Sequence, residues 1–342
     1  MDKHETSKVV PKISLDAEVK PEQPFKREKV TNSGTVKSLP WIASIKKVSH
    51  EIANQRLFGK QDNEVLYCLA LDGSVDSDYA FKLITEDYCN NNEKLLCVYI
   101  FNSKLNPNLN YSNRKSTIVD KYSMSLKSFN KKSHFLVEDR TTNTHLIEQI
   151  LKNAENYSTN FVVIGYHGLK GPKGDNKELT VGLDYLLSYS KIPIIIIKEK
   201  ICRELKDGKA FKFLIILDKN FSNSYKVFNS FIPFINCEVD SVDFLELIPD
   251  GDTSEVHGKD WKEMLTTQSE KHSLNKITYE RVTYNSKAGF AKYIVQTINY
   301  GKVIYDFVIF YNMPFKHKQD PTNSESAEII IGCKSNVAFV NN

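Results

Sequence analysis

Phe161-Val162-Val163-Ile164-Gly165-Tyr166-His167-Gly168 reads as a buried strand running into a glycine turn. Four apolar residues in a row suit a central parallel strand covered on both faces. Gly165 and Gly168 then let backbone approach another group closely, or allow a positive φ. In an open α/β sheet the ligand crevice lies at the carboxyl ends of the strands, where strand order reverses. The stretch is the best candidate in this chain for such a place.

The flanking sequence supports an alternating α/β order. Upstream, Val65–Leu71 is a buried strand ending in the turn Asp72-Gly73-Ser74, and 76–90 reads as a helix capped by Asp76 or Ser77. Leu95–Phe101 is a second strand, His134–Val137 a short third, and Asn143–Tyr157 a helix with Leu146, Ile147, Ile150 and Leu151 on one face. Downstream, Leu179–Ser190 is a helix and Ile192–Ile197 a strand with Pro193 near its start, where a missing donor is tolerated. Strand and helix in alternation imply βαβ units and a parallel sheet.

The pattern then recurs. Phe213–Asp218 resembles Leu66–Asp72, with Asp218 146 residues after Asp72; Tyr225 follows Tyr79 and Phe307–Phe310 follows Phe161–Ile164 at the same offset. The helix at Asn143–Tyr157 falls on Gly289–Val303, where Phe290, Ile294 and Ile298 form a buried face. One offset at several separated points means two copies of one α/β unit in tandem. The turns differ: Gly165-Tyr166-His167-Gly168 becomes Tyr311-Asn312-Met313-Pro314, and Asp72-Gly73-Ser74 becomes Asp218-Lys219-Asn220. The second copy keeps the core and loses the turn chemistry, so it reads as scaffold, with Asp218 a helix cap.

The chain divides into residues 1–39, a disordered or partner-bound arm; 40–60, an amphipathic helix with Trp41, Ile45, Val48 and Ile52 on one stripe; 61–200, the first unit; 201–210, a charged linker; and 211–342, the degenerate second unit. Between the second and third strands, the insert 104–132 holds Lys104, Arg114, Lys115, Lys121, Lys127, Lys131 and Lys132 against Asp120 alone. Its local charge of +6 exceeds the +4 of the whole 342-residue chain. The later half of the insert (Ile118, Tyr122, Leu126, Phe129) has helical spacing.

No run approaches a membrane span, and the N-terminus lacks the apolar stretch of a secretory signal. Asp2, Glu5, Asp16 and Glu18 argue against a mitochondrial presequence. The six cysteines form no CxxC pair and read as reduced thiols of a cytoplasmic protein. The eight histidines form no HxxH or HExxH pair, so no metal site is expected. Trp261, Met264 and Leu265 read as the core face of a helix.

Leu71-Asp72-Gly73-Ser74, Gly165-Tyr166-His167-Gly168, Gly182 and Pro193, in this order, resemble the universal stress protein family. The resemblance covers residues 63–200 well and 211–342 weakly. It implies two tandem five-stranded, Rossmann-like parallel sheets of strand order 3-2-1-4-5, with helices on both faces and an N-terminal extension. Family dimers join through their last strands, which here implies an intramolecular pseudo-dimer pairing Ile194–Ile197 with Asn336–Val340. The ATP-binding members imply a role for each matching position. Asp72 would sit near the adenosine, Val98 would offer backbone groups to adenine, and Gly165, Gly168 and Gly182 would wrap ribose and phosphates with N–H groups.

The phosphate loop departs from the pattern. Thirteen residues separate Gly168 from Gly182, with an extra Gly171-Pro172-Lys173-Gly174-Asp175, and Leu183 stands where the family has a phosphate-binding hydroxyl. Three functions are weighed on these residues. The favoured one is a non-catalytic tandem module, without a cofactor, acting through protein contacts made by the N-terminal arm and the basic insert, with no membrane or nucleic-acid role. It would serve a larger intracellular assembly such as the cytoskeleton. The second is an ATP- or AMP-binding sensor using the first unit. The third is an ATP pyrophosphatase, because Asp72-Gly73-Ser74-Val75-Asp76-Ser77 partly matches that family's Ser-Gly-Gly-x-Asp-Ser loop.

Overall fold

The computed structural model describes residues 64–89, 93–103, 115–128, 132–140, 144–168, 179–252, 256–274, 276–312 and 324–341. The N-terminal arm, the 40–60 helix and the Gly171–Asp175 extension lie outside them. Among the described residues ten strands alternate with eight α-helices. The first half holds β1 (Leu66–Leu71), α1 (Val75–Lys82, extended by a π-helical turn Leu83–Tyr88), β2 (Lys94–Phe101), α2 (Lys115–Ser128), β3 (Ser133–Asp139), α3 (Leu146–Asn156), β4 (Phe161–Gly165), α4 (Val181–Tyr189) and β5 (Ile194–Ile197). The second holds β6 (Lys212–Leu217), α5 (Phe221–Phe231), β7 (Ser241–Pro249), α6 (Val256–His272), β8 (Lys276–Tyr284), α7 (Phe290–Tyr300), β9 (Phe307–Tyr311), α8 (Glu325–Gly332) and β10 (Asn336–Val340).

Strand order runs β3-β2-β1-β4-β5-β10-β9-β6-β7-β8 in one sheet. Each half has the expected 3-2-1-4-5 order, and the two five-stranded halves join through the last strands, Ile194–Ile197 and Asn336–Val340, as the resemblance implies. β5 and β10 pair antiparallel, Ile196 opposite Val337 and Ile194 opposite Phe339, while all other pairs are parallel. The physical reason is the edge. Each last strand alone would expose a row of backbone donors and acceptors on an apolar strand, and joining them satisfies both.

Because strand side chains alternate, the sheet feeds two cores. Tyr67, Leu69 and Leu71 of β1 face one core, with α1, α2, α5 and α6; Leu66, Cys68 and Ala70 face the other, with α3, α4, α7 and α8. The insert after β2 therefore belongs to the fold. Ile118, Tyr122 and Leu126 of α2 are buried in the first core. Of its basic residues, Lys115 lies over the Phe101 ring at 3.7 Å, Lys121 pairs with Asp78 and Lys132 with Glu64. Trp261, Met264 and Leu265 of α6 are buried as their spacing predicts.

The halves are also tied at the sheet's centre by reciprocal helix caps. Lys198, directly after β5, donates its amine to the carbonyls of Ile330 (2.6 Å) and Cys333 at the end of α8. Asn341, directly after β10, donates its amide to Leu186 (3.0 Å) and Ser190 (2.9 Å) at the end of α4. Each half thus donates to carbonyls at the end of the other half's last helix. The segment between the halves is structured too. Arg203 forms a bidentate pair with fully buried Asp240 and spreads its guanidinium over Phe211 at 4.2 Å.

Candidate functional site

The switch point of the first half lies between β1 and β4, so the turns after these strands form its crevice. After β1, the Asp72 carboxylate accepts the Ser74 N–H at 2.9 Å, and Gly73 takes φ 83°, a turn that favours glycine. Ser74, rather than Asp76 or Ser77, caps α1: its Oγ accepts the Ser77 N–H at 3.2 Å. That frees Asp76 to point back across the crevice. Its Oδ2 accepts the His167 N–H at 2.9 Å and lies 2.9 Å from His167 Nδ1. The two turns are thereby latched across 91 residues of sequence.

Around this latch the groups are densely coupled. Ser77 Oγ lies 3.1 Å from the Tyr122 hydroxyl, which donates to Asp78 at 2.6 Å. Burial pushes the Tyr122 hydroxyl far above its ordinary range, helped by its bond to Asp78. The Lys198 amine lies 4.6 Å from the centre of the Tyr166 ring, and burial pushes its ammonium down to about 8.

The five residues assigned from the resemblance part company here. Asp72 and Gly168 come together: a Cβ on Gly168 would stand 2.7 Å from Asp72 Oδ2, so any side chain there makes the carboxylate swing aside. Val98 is corrected. It is fully buried in mid-strand, between Ala70 and Leu136, where backbone groups are taken by the flanking strands; Tyr99, opposite Leu71, stands nearer the mouth. Burial and the nearby Asp72 charge raise the Tyr99 hydroxyl.

Gly165 is explained by packing. A Cβ there would meet the α1 backbone, the Asp76 carbonyl carbon and Ser77 nitrogen, at 2.7 Å. Gly182 in turn faces Ile147 of α3, whose nearest carbon is 3.1 Å from an added Cβ. Gly165→Ala is expected to cost about 1–3 kcal/mol, because helix backbone cannot move aside as a side chain can. Chemical denaturation measures this, and a loss near zero would show that α1 shifts freely.

Sequence reasoning left out the Asp76–His167 pair. The signal was an acidic residue four positions after the β1 aspartate and a histidine inside the glycine turn, both present but with nothing to join them. In the second half, Asp218 is tied to its own turn: one oxygen accepts the Asn220 N–H (2.8 Å) and the other the Asn223 amide (3.0 Å). The helix cap expected of Asp218 falls instead to Asn220, whose side chain accepts the Ser222 N–H at 2.9 Å.

Cysteine chemistry is muted in both halves: all six thiols are free, and burial pushes those of Cys68 and Cys333 up to about 12. Among the described residues no group of three or more His, Cys, Asp or Glu is placed to hold a metal ion. Nor is any described helix long and apolar enough to cross a membrane.

No family model and no curated protein matches the chain by sequence. Solved structures do match its fold. A candidate universal stress protein from Pseudomonas aeruginosa UCBPP-PA14 superposes with a TM-score of 0.54 at 12% identity, covering 84% of this chain and 95% of that one. A universal stress protein from Archaeoglobus fulgidus DSM 4304 gives 0.54 at 14% identity, over 81% and 96%. A functionally unknown protein from Pseudomonas aeruginosa PAO1 gives 0.53 at 12%, over 84% and 94%. The chain has the α/β fold of these universal stress protein structures, matched across both halves.

Proposed function

We propose that the chain is a non-catalytic tandem module with the universal stress protein fold, acting through protein contacts as a structural or accessory part of a larger assembly. The observation that carries this reading is the Asp76–His167 latch. In the resemblance the glycine turn offers its N–H groups to phosphate. Here a protein carboxylate takes the His167 N–H. A phosphate entering the same turn would meet Asp76 and Asp72 together, and two carboxylates repel an anion where solvent screening is weak.

In the second half Asp218 is held by its own turn. A fold can keep its core while its pocket is given up, leaving function to the surface. That surface includes Val181 and Tyr189 on α4, Tyr300 at the end of α7 and Ile304 just after it, each more than 60% exposed. The N-terminal arm and the Lys127 side of α2 are the other contact regions in this reading.

A second reading keeps an ATP- or AMP-binding sensor in the first half, and one contrast favours it. Asp72 turns Oδ2 across the crevice to Gly168, whereas Asp218 has both oxygens on its own turn. Calorimetry with ATP and AMP separates the two readings. The module predicts no saturable binding up to about 1 mM, weaker than about −4 kcal/mol, with binding strengthened at least tenfold in Asp76→Ala, where the His167 N–H is released. Micromolar binding by the native chain, abolished in Asp72→Ala, overturns the module in favour of the sensor.

A further inference from the structure

At the first half's end of the sheet, β3 pairs with β2 on one side, and no described strand pairs with its other side. In a parallel ladder a residue turns its N–H and its C=O to the same neighbour, and the next residue turns both away. The Leu95 N–H donates to the Lys132 carbonyl at 3.1 Å and the Arg140 N–H to the Phe101 carbonyl at 2.6 Å, so the even-numbered residues of β3 bond to β2. Ser133, Phe135, Val137 and Asp139 therefore point their backbone donors and acceptors outward.

The side chains leave room as well. β1 is buried throughout, whereas the apolar middle of β3 is half-buried: Phe135 and Val137 lean on one core and Leu136 on the other. A strand laid along β3 would cover both faces. Edge strands commonly resist such addition with lysines, other charges or proline. β8, at the far edge, carries Lys276, Glu280 and Arg281. β3 has no lysine, arginine or proline, and its two carboxylates, Glu138 and Asp139, stand together at one end.

The residues of β3 complement one another. Laid antiparallel on a second copy with Leu136 on the two-fold axis, Phe135 falls opposite Val137, His134 opposite Glu138 and Ser133 opposite Asp139. An aromatic ring meets a β-branched side chain, and each carboxylate meets a donor, as in favourable cross-strand pairs. Opposed residues are an even number apart, so each pair shares a face of the sheet. The outward residues then meet each other and exchange N–H···O bonds, while the two Leu136 side chains meet at the close, non-bonded position. Glu138 is already oriented for this, since Oε2 accepts the Gln149 and Asn153 amides at 2.8 and 2.9 Å and Oε1 is left for the histidine N–H. Past the strand ends Lys132 would face Arg140 of the second copy, but its ammonium is turned to Glu64 at 3.6 Å.

We propose that β3 pairs antiparallel with β3 of a second copy of this chain, about a two-fold axis at Leu136, so that two ten-stranded sheets become one. The contact uses the same patch on both chains and closes at two. It is independent of the crevice and of whether nucleotide enters it.

The test is analytical ultracentrifugation of the full chain from about 1 to about 100 μM. A monomer–dimer equilibrium with no larger species is expected. Val137→Pro removes an outward N–H and leaves the ladder to β2 intact, and is expected to weaken the dimer at least about tenfold, because two hydrogen bonds are lost across the axis. His134→Glu is expected to weaken it about tenfold, since two like-charged pairs form, while His134→Lys retains it. Both His134 variants remove the same ring from beside Tyr157, so an effect on the fold alone would move them together. Should circular dichroism show Val137→Pro unfolded, the His134 pair decides alone. A native chain that stays monomeric throughout, association that continues past two chains, or equal affinity in the two His134 variants overturns the proposal.

Discussion

Asp240→Ala is expected to lower the unfolding free energy by about 3–5 kcal/mol, the range seen when one partner of a buried ion pair is removed. Asp240 is fully buried and accepts four donors: both terminal nitrogens of Arg203, the Phe211 N–H at 2.8 Å and the Asn236 N–H at 2.9 Å. Alanine satisfies none of them. It leaves a guanidinium with only 11% of its side chain exposed, and the buried Phe211 amide, without their acceptor.

The control is Lys121→Met, at an ion pair whose side chains are 47% and 28% exposed. There solvent screens the charges, and the expected change is within about 1 kcal/mol. Urea unfolding followed by circular dichroism measures both. The double variant Arg203→Met/Asp240→Leu should lose less than Asp240→Ala alone, because no charge is then stranded. A loss below about 1 kcal/mol in Asp240→Ala would mean that water reaches the pair and that the segment joining the halves is loose.

Phe234→Ala is expected to cost a similar amount, about 3–5 kcal/mol, for a different reason. The Phe234 ring is 1% exposed and touches rings of both halves: Tyr67, Tyr88 and Phe161 from the first, Phe213 and Phe307 from the second, all with centroids within 6.4 Å. Truncation opens a cavity among rings that are each held by the sheet or by a helix, so collapse is limited. The same packing predicts that the native chain unfolds in one cooperative step, because neither half keeps this core alone. Two separated transitions in the native chain, or a loss under about 1 kcal/mol in the variant, would show that the halves are independent bodies.

The two variants probe the part of the molecule least visible in its sequence. The strands were legible because a parallel strand covered on both faces must be apolar throughout: Leu66–Leu71, Phe161–Ile164, Ile194–Ile197 and Phe307–Tyr311 are buried almost without exception. The repeat was legible because both halves bury the same positions, with β6 and β9 following β1 and β4 by 146 residues. Helix α2 showed in the spacing of Ile118, Tyr122 and Leu126, while its basic residues made the segment look like an addition to the fold. Lysine stems reach solvent or a partner from a helix whose other face is core, so charge on one face says nothing against burial on the other.

The candidate site was half legible. Asp72 and Gly168 meet because a turn after each of two adjacent strands must open on the same crevice. Gly165 and Gly182 carry the same letter as Gly168 and answer to packing instead, against the α1 backbone and against Ile147. A glycine in sequence records that a side chain is forbidden, and not which neighbour forbids it.

By itself, then, the sequence determined the α/β class, the tandem repeat and the place of the crevice, which follow from hydrophobic periodicity and from turn residues acting over a few neighbouring positions. The strand order within each half and the pairing of the two last strands came from the family resemblance. The tertiary structure alone decided that Asp76 latches His167, that Arg203 is buried on Asp240, and that Lys198 and Asn341 cap each other's helices. Each of these is a polar contact between positions 37 to 155 residues apart. A single donor meeting a single acceptor leaves no period in the chain, and its partner is chosen only when the packed core brings the two within reach.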